Sequence, residues 1–398
     1  MDIILDTHLK NLEHYLVNLL AKNMEDGNQI AIWRKPKSSF IQILIDKSGI
    51  TKRVSPNLED LPAGFIVHPF EDQVDQKAYF LEADSYFKID ISIPFEDQSG
   101  TLEEVRFSSP IPDLKRKIRK IITEIGSQNE VFQETTKDDF MGLVEKGIQS
   151  IENGELHKIV PARIKKIKLN PEFDLIKSFN QLVSSYPNAF VNFFHIPEVG
   201  TWIGASPEIL IQTRGDEFYT MSLAGTQKAH GENPLKSAAW TQKEIEEQAL
   251  VSRYIVDCFK KIRLREYDEH GPKTVLAGNL LHLRSDFRVN MKSTNFPQLG
   301  SVMLQLLHPT SAVCGMPRNS ALEFLHKNEP FNRSFYAGFI GPVNVEEETS
   351  IYVNLRTARL VNGDAILYAG AGVTEDSIPE NEWEETEMKC DIIAKHLN

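Results

Sequence analysis

Five glutamates, Glu380, Glu382, Glu384, Glu385 and Glu387, fall within one stretch of eight positions near the end of the chain. On a helix, Glu382, Glu385 and Lys389 stand at i, i+3 and i+7 and share one face. Two carboxylates and an ammonium converging on one spot suit a hard divalent cation and an anionic ligand. A solvated acidic helix is the competing reading of any such charge run. A second pair, Glu244 and Glu247, has the same i, i+3 spacing in the stretch Trp240–Arg263, which reads as a long helix with the apolar stripe Ile245, Ala249, Val256 and Phe259. Two such pairs meeting across a cleft could hold Mg²⁺, which takes one or two carboxylates directly and keeps several waters.

Other residues carry chemical potential singly. Lys158 lies among Leu156, Ile159 and Val160. A lysine there either snorkels or is partly desolvated, and a desolvated lysine is a usable general base. Glu208 follows Gly204-Ala205-Ser206-Pro207 at the head of an apolar strand, where it is a turn partner or a general acid. Leu223-Ala224-Gly225-Thr226 ends the next strand, and a glycine there lets a ligand approach the backbone. Arg356 is a candidate bidentate clamp for a carboxylate. Ala369-Gly370-Ala371-Gly372 offers backbone N–H groups to an anion.

The elements that must position these groups alternate irregularly. An amphipathic helix spans residues 7–22, and strands follow at Ile30–Trp33, Phe40–Ile45 and Phe65–His68. Phe140, Val144, Ile148 and Ile151 form a helical stripe ended by Asn153-Gly154. Strands are expected at Leu156–Arg163, Ala189–Ile196, Val275–Arg288, Thr349–Leu360 and Ala365–Val373, with a hairpin through Arg214-Gly215-Asp216 and another at Asn362-Gly363. The last helix opens near Ser377, where Ser377-x-x-Glu380 fits a capping box. Many strands and several long helices without regular βαβ alternation argue α+β.

Composition bounds the function. The chain has 398 residues, 41% hydrophobic and 25% charged, with a formal net charge of −12. That balance is globular, and its sign argues against nucleic acid or an anionic membrane as a partner. Cys258, Cys314 and Cys390 show no Cys-x-x-Cys spacing and read as free thiols of a reducing compartment. The N-terminal residues lack a signal-peptide pattern, no run is long enough to span a membrane, and the expected location is cytoplasmic.

Taken together, several segments resemble the chorismate-utilising enzymes: isochorismate synthase, salicylate synthase, and component I of anthranilate and aminodeoxychorismate synthases. They are Lys158-Ile-Val-Pro-Ala-Arg163, Gly204-Ala-Ser-Pro-Glu208, Leu223-Ala-Gly-Thr226, Glu244-x-x-Glu247, His282-Leu283, His308 to Pro317, Tyr336-Ala-Gly338, Arg356, Ala369-Gly-Ala-Gly372 and Pro379 to Lys389. The resemblance covers about residues 130–398. It implies large antiparallel sheets packed as a sandwich with helices outside, residues 131–398 forming the chorismate-binding catalytic region and residues 1–130 a divergent N-terminal part of the same fold. It implies chorismate as substrate and Mg²⁺ as cofactor, with Glu247 and Glu385 as ligands backed by Glu244 and Glu382. It assigns Lys158 as general base and Glu208 as general acid. Arg356, Tyr336 and backbone near Gly370 hold the pyruvyl side. Thr226, His282, Gly372 and Lys389 complete the pocket.

Lys158 together with Ala224 points to the water-adding branch, since the anthranilate branch typically has glutamine at the first position and the aminodeoxychorismate branch a lysine at the second. Isochorismate synthase is the expected activity and salicylate synthase the alternative, with a non-catalytic chorismate binder a more distant one. A monomer without a glutamine amidotransferase subunit is expected, serving menaquinone or siderophore biosynthesis. Gln248, Gln227, Ser311 and Cys314 depart from the residues usual in that family, and these departures touch the pocket's shape but no catalytic group.

Overall fold

A computed structural model describes residues 2–71, 75–93, 110–124, 132–229, 233–277 and 280–397. Two large sheets, antiparallel throughout their pairings, organise the chain. The eight-stranded sheet runs Ser85–Asp90, Phe40–Asp46, Gln29–Arg34, Phe190–Ile196, Gly200–Ser206, Thr357–Val361, Asp364–Gly370, Ala162–Lys168. The nine-stranded sheet runs Asp268–Ala277, Leu280–Asn290, Glu217–Lys228, Ile209–Arg214, Glu348–Val353, Phe339–Val343, Gly64–His68, Ala78–Glu82, Lys52–Val54. Strands from the first ninety residues are thus built into both sheets.

The alternation of strand side chains explains the layering. Ala31 and Trp33 join a core between the sheets, while Ile30 and Ile32 join a second core on the other side of the same strand. Trp33 meets Phe65 at 5.3 Å between ring centroids, and Phe190 stacks on Tyr352 at 4.0 Å, in each case across the sandwich. The second core is capped by the helices Asp2–Glu25, Ile111–Glu124 and Leu175–Ser185. Burial on both faces is why Phe40–Ile45 reads as an almost continuous apolar run. The helices Gln242–Lys261 and Leu299–Leu307 lie against the nine-stranded sheet. The helix Pro379–Ala394 packs on Lys137–Glu152 and on the strand Asp364–Gly370.

Five expectations need correction. Leu156–Arg163 is not one strand: Lys158–Ile159 pairs with Gly315–Met316, and Ala162–Lys168 joins the eight-stranded sheet after a break at Pro161, which has no N–H to donate. Thr349–Leu360 is two strands in different sheets, broken at Asn354–Arg356, where Arg356 has φ +49°. Val275–Arg288 is part of a hairpin, Asp268–Ala277 with Leu280–Asn290. The buried face of the long helix is Gln248, Val251, Tyr254, Ile255, Cys258 and Phe259, and Ile245 is 47% exposed. The Ser377–Glu380 capping box does not form: Ile378 is the N-cap, Pro379 opens the helix, and Glu380 pairs with Lys137 at 2.5 Å.

Candidate active site

The pocket lies where both sheets end beside the two acidic helices. Lys158 enters from the short strand Lys158–Ile159, with its side chain fully buried. Its Nζ donates to Glu247 Oε1 at 2.9 Å. Burial opposes ionisation of Glu247, but the ammonium of Lys158, together with those of Lys243 and Lys389, outweighs it and holds the carboxyl below the usual range. Gly372 makes this approach possible. A Cβ built there would lie 2.2 Å from Glu247 Oε1 and 3.2 Å from Lys158 Cε. Gly370 plays a similar part, with a hypothetical Cβ 3.2 Å from Tyr336 Oη. Close packing of side chains against the backbone is therefore the visible role of both glycines. Gly370 O accepts a bond from Lys389 at 2.7 Å.

Glu208 sits between the strands Gly200–Ser206 and Ile209–Arg214 and is 4% exposed. Burial raises its pKa to about 7, although the charges of Arg356, Lys158 and Lys389 pull it down. A carboxyl group there keeps its proton near neutrality. His282, on the strand Leu280–Asn290, donates from Nδ1 to Gly225 O at 2.7 Å, which is the tautomer that a carbonyl partner requires. Among the described residues its Nε2 is buried without a partner, and burial plus Arg356 lowers its pKa to about 3, so the ring is a neutral acceptor. Gly225 and Thr226 occupy a break in register between Ala224 and Gln227, and Gly225 has φ +69°.

These groups surround a cavity of about 50 Å³. Glu208, Thr226, Glu247, His282, Tyr336, Arg356, Gly370, Gly372, Glu385 and Lys389 all line it, and Val160, Pro207, Leu223, Ala224, Ala312, Val313 and Leu355 supply an apolar wall. Ligand pockets ordinarily run to roughly 300 Å³ or more. Ion pairs occupy the acidic side of this cavity: Lys389 pairs with Glu385 at 2.5 Å, and Lys158 pairs with Glu247 at 2.9 Å. A far larger groove of about 1270 Å³ lies beyond the segments 160–164 and 331–335, and none of the sequence-predicted residues lines it. Size favours that groove, whereas the convergence of acid, base and cationic groups favours the small cavity, and chemistry decides.

Three predicted residues stand back from the pocket: Lys158, which reaches its edge through Glu247, and two glutamates. Glu244 is the N3 carboxylate of its own helix and accepts from Thr241 N at 2.7 Å. Glu382, 1% exposed, pairs through Oε1 with Lys243, while its Oε2 is left without a hydrogen bond among the described residues. Burial, with the charge of Glu385, drives its pKa above the usual carboxylate range. Among the described residues no group of three or more His, Cys, Asp or Glu side chains forms a ready-made metal cage. Mg²⁺ does not require one, since two carboxylates and waters suffice. The orphaned Oε2 of Glu382 and the like charge of Glu385 beside it are what a divalent cation relieves, so the donor set fits one.

Sequence reasoning missed the residues that hold this arrangement. Arg163 is 1% exposed and stacks on Trp383, with its guanidinium carbon 4.0 Å from the ring centroid. Its Nε donates to Thr386 Oγ1 at 2.6 Å, and a terminal nitrogen pairs with Glu387. Glu387, which reads as solvated, is thereby an anchor of the helix. Arg333, also buried, donates to Val313 O and Val160 O at 2.7 Å each and pairs with Glu329, tying two pocket walls together. Nothing in residue type or spacing separates these arginines from surface ones.

Two antiparallel sheets packed as a sandwich, with a buried carboxylic acid, a buried lysine and acidic helices gathered at one pocket, are the architecture of an enzyme. The chain belongs to the chorismate binding enzyme family, whose match spans residues 89–398. It is 26% identical over 304 residues to isochorismate synthase EntC of Escherichia coli (strain K12), covering 75% of this chain and 74% of that one. It is 25% identical over 383 residues to isochorismate synthase MenF of Bacillus subtilis (strain 168), covering 90% and 78%. The solved structure of the menaquinone-specific isochorismate synthase MenF from Escherichia coli superposes with a TM-score of 0.71 at 20% identity, over 96% of this chain and 91% of that chain.

Proposed function

We propose that the protein is an isochorismate synthase, converting chorismate to isochorismate by adding water at C2 and expelling the C4 hydroxyl. The observation that carries this reading is Glu208: a carboxyl 4% exposed that keeps its proton up to about pH 7, in a pocket lined by Arg356 and Lys389 and reached at its edge by Lys158 through Glu247. Departure of hydroxide from C4 needs a proton, and Glu208 in its acid form donates it. Lys158, once its proton is lost, takes a proton from the water that attacks C2. The ring double bonds shift as the C2–O bond forms and the C4–O bond breaks, and the proton gained by Lys158 returns through solvent to Glu208, which resets both groups for the next turnover. Ala224 leaves that wall of the pocket without a nucleophile, which favours water over a covalent intermediate.

Arg356 and Tyr336 hold the pyruvyl carboxylate, and the neutral His282 Nε2 accepts a hydroxyl of the substrate. Glu247 and Glu385, with Glu382 behind them, would bind a divalent cation, which neutralises the ring carboxylate when present. Chromatography of the products formed from chorismate and Mg²⁺ is the test. Isochorismate is the expected product, and fluorescent salicylate would establish the alternative in which pyruvate is eliminated afterwards. Binding without turnover at any pH or Mg²⁺ concentration would leave only a chorismate-binding subunit.

A further inference from the structure

Lys243 has no part in that chemistry, yet its ammonium stands among the acidic groups. It precedes Glu244 on the long helix and donates to Glu382 Oε1. Glu385 and Glu247 are both within electrostatic reach of it. The other two lysines of the cluster face the cavity: Lys389 lines it, and Lys158 reaches its edge through Glu247. Lys243 does neither. Its side chain is 23% exposed against 1% for Glu382, so it plugs the carboxylate from the solvent side.

An ammonium and a divalent cation seek the same carboxylate oxygens. We propose that Lys243 is a resident counter-ion of this cluster, against which a divalent cation must compete, and that it sets the metal affinity of the site downward. The inference rests on the reading of Glu247, Glu382 and Glu385 as a metal site. Its physical basis is that a positive charge a few ångströms from a partly desolvated cation site repels any incoming cation far more than it would in water. Lys243, holding one oxygen of Glu382, offsets part of the repulsion between Glu382 and Glu385. With Lys243 removed, Oε1 of Glu382 is freed and joins the orphaned Oε2, so both oxygens of that carboxylate become available to the metal.

The experiment is Mn²⁺ binding, followed by the free-ion electron paramagnetic resonance signal and by calorimetry, so that no activity measurement is needed. Wild type, Lys243→Met, Lys243→Gln and Lys243→Arg are compared. The Met and Gln variants are expected to bind Mn²⁺ at least tenfold more tightly, and Arg, which keeps the charge, within about threefold of wild type. Equal or weaker binding by both neutral variants overturns the proposal and makes Lys243 a residue that positions Glu382. If wild type and every variant leave the Mn²⁺ signal free into the millimolar range, the metal reading itself falls and the proposal with it. The neutral variants preserve the long helix, since Lys243 lies in its first turn and outside the buried face.

Discussion

Lys158 Nζ and Glu247 Oε1 meet at 2.9 Å directly over Gly372, at a place where no other residue leaves room for the pair. Gly372→Ala puts a methyl group 2.2 Å from that oxygen if nothing moves. The atom it strikes is the end of a side chain, so the fold yields there by rotating Glu247. Stability is expected to fall by only about 1–3 kcal/mol. Turnover of chorismate is expected to drop by at least about a hundredfold, because a misplacement of about 1 Å at a reacting group costs that much. Urea denaturation and steady-state kinetics check the two halves separately. Wild-type turnover in Gly372→Ala would mean that the Lys158–Glu247 contact is incidental.

Some of this was readable from residue types and some was not. The spacing of Glu382, Glu385 and Lys389 places them on one helix face, and the structure turns that face toward Lys243 and the cavity. The same spacing argument pairs Glu244 with Glu247, but spacing cannot tell a helix-capping glutamate from a cavity one, and Glu244 caps its helix at Thr241. Apolar runs located most strands. They misled at Val353–Thr357, because Asn354 and Arg356 alternate with Val353 and Leu355 as in a half-buried strand, while the chain crosses from one sheet to the other and stays buried throughout. Buried cations were invisible for a related reason. Arg163, Arg333 and Lys243 are desolvated only because partners from distant segments satisfy them, and that partnership lies in tertiary structure alone.

Glu208 has a consequence for pH. Its pKa rises from 4.5 to about 7 on folding, chiefly through burial. Between those values the folded protein binds more protons at this site than the unfolded chain does, so the contribution of Glu208 to stability falls as pH rises through the window. Glu208→Gln removes the titration. The stability of the variant relative to wild type is expected to grow from pH 4.5 to 7.5 by up to about 3 kcal/mol, at ~1.4 kcal/mol per pH unit. Denaturant melts across that range measure it. Turnover follows the opposite need: kcat of wild type falls above about pH 7 as the acid form is lost, and Glu208→Gln is inactive throughout. A stability difference that stays flat with pH would remove Glu208 as the buried acid.

Arg356 is held in the left-handed backbone region at φ +49°, at the break between strands of the two sheets. A non-glycine residue persists there only where its surroundings over-determine it, and such positions gather at functional sites. Its guanidinium lines the cavity with Tyr336 and Glu208. Arg356→Lys keeps the charge and the backbone but loses the planar fork that binds a carboxylate through two parallel hydrogen bonds. Chorismate KM is expected to rise at least tenfold, with a smaller change in kcat. An unaltered KM would place the substrate carboxylate elsewhere.

The C-terminal helix is set in its roll by Arg163, which grips the face adjoining the site. Stacking on Trp383, the bond to Thr386 and the ion pair with Glu387 occupy that face, while Glu382, Glu385 and Lys389 occupy the other. Arg163→Met keeps much of the stacking volume but leaves Glu387 with Lys165 alone, at 2.6 Å. Removing one member of a largely buried pair costs on the order of 3–5 kcal/mol, reduced here because Glu387 is 30% exposed and retains Lys165. Destabilisation at the lower end of that range is therefore expected. Thr386→Val is the gentler probe, deleting one hydroxyl that both accepts from Arg163 and donates to Trp383 O at 2.7 Å. It should cost about 1–3 kcal/mol and lower kcat/KM for chorismate through the altered pitch of Glu385 and Lys389. The decisive comparison is between kcat/KM and melting temperature in Thr386→Val and in a core variant of equal stability remote from the site, such as Ile43→Val. Equal kcat/KM in the two would show that Arg163 and Thr386 support the fold alone, whereas a selective loss in Thr386→Val shows that they aim the acidic face of the helix.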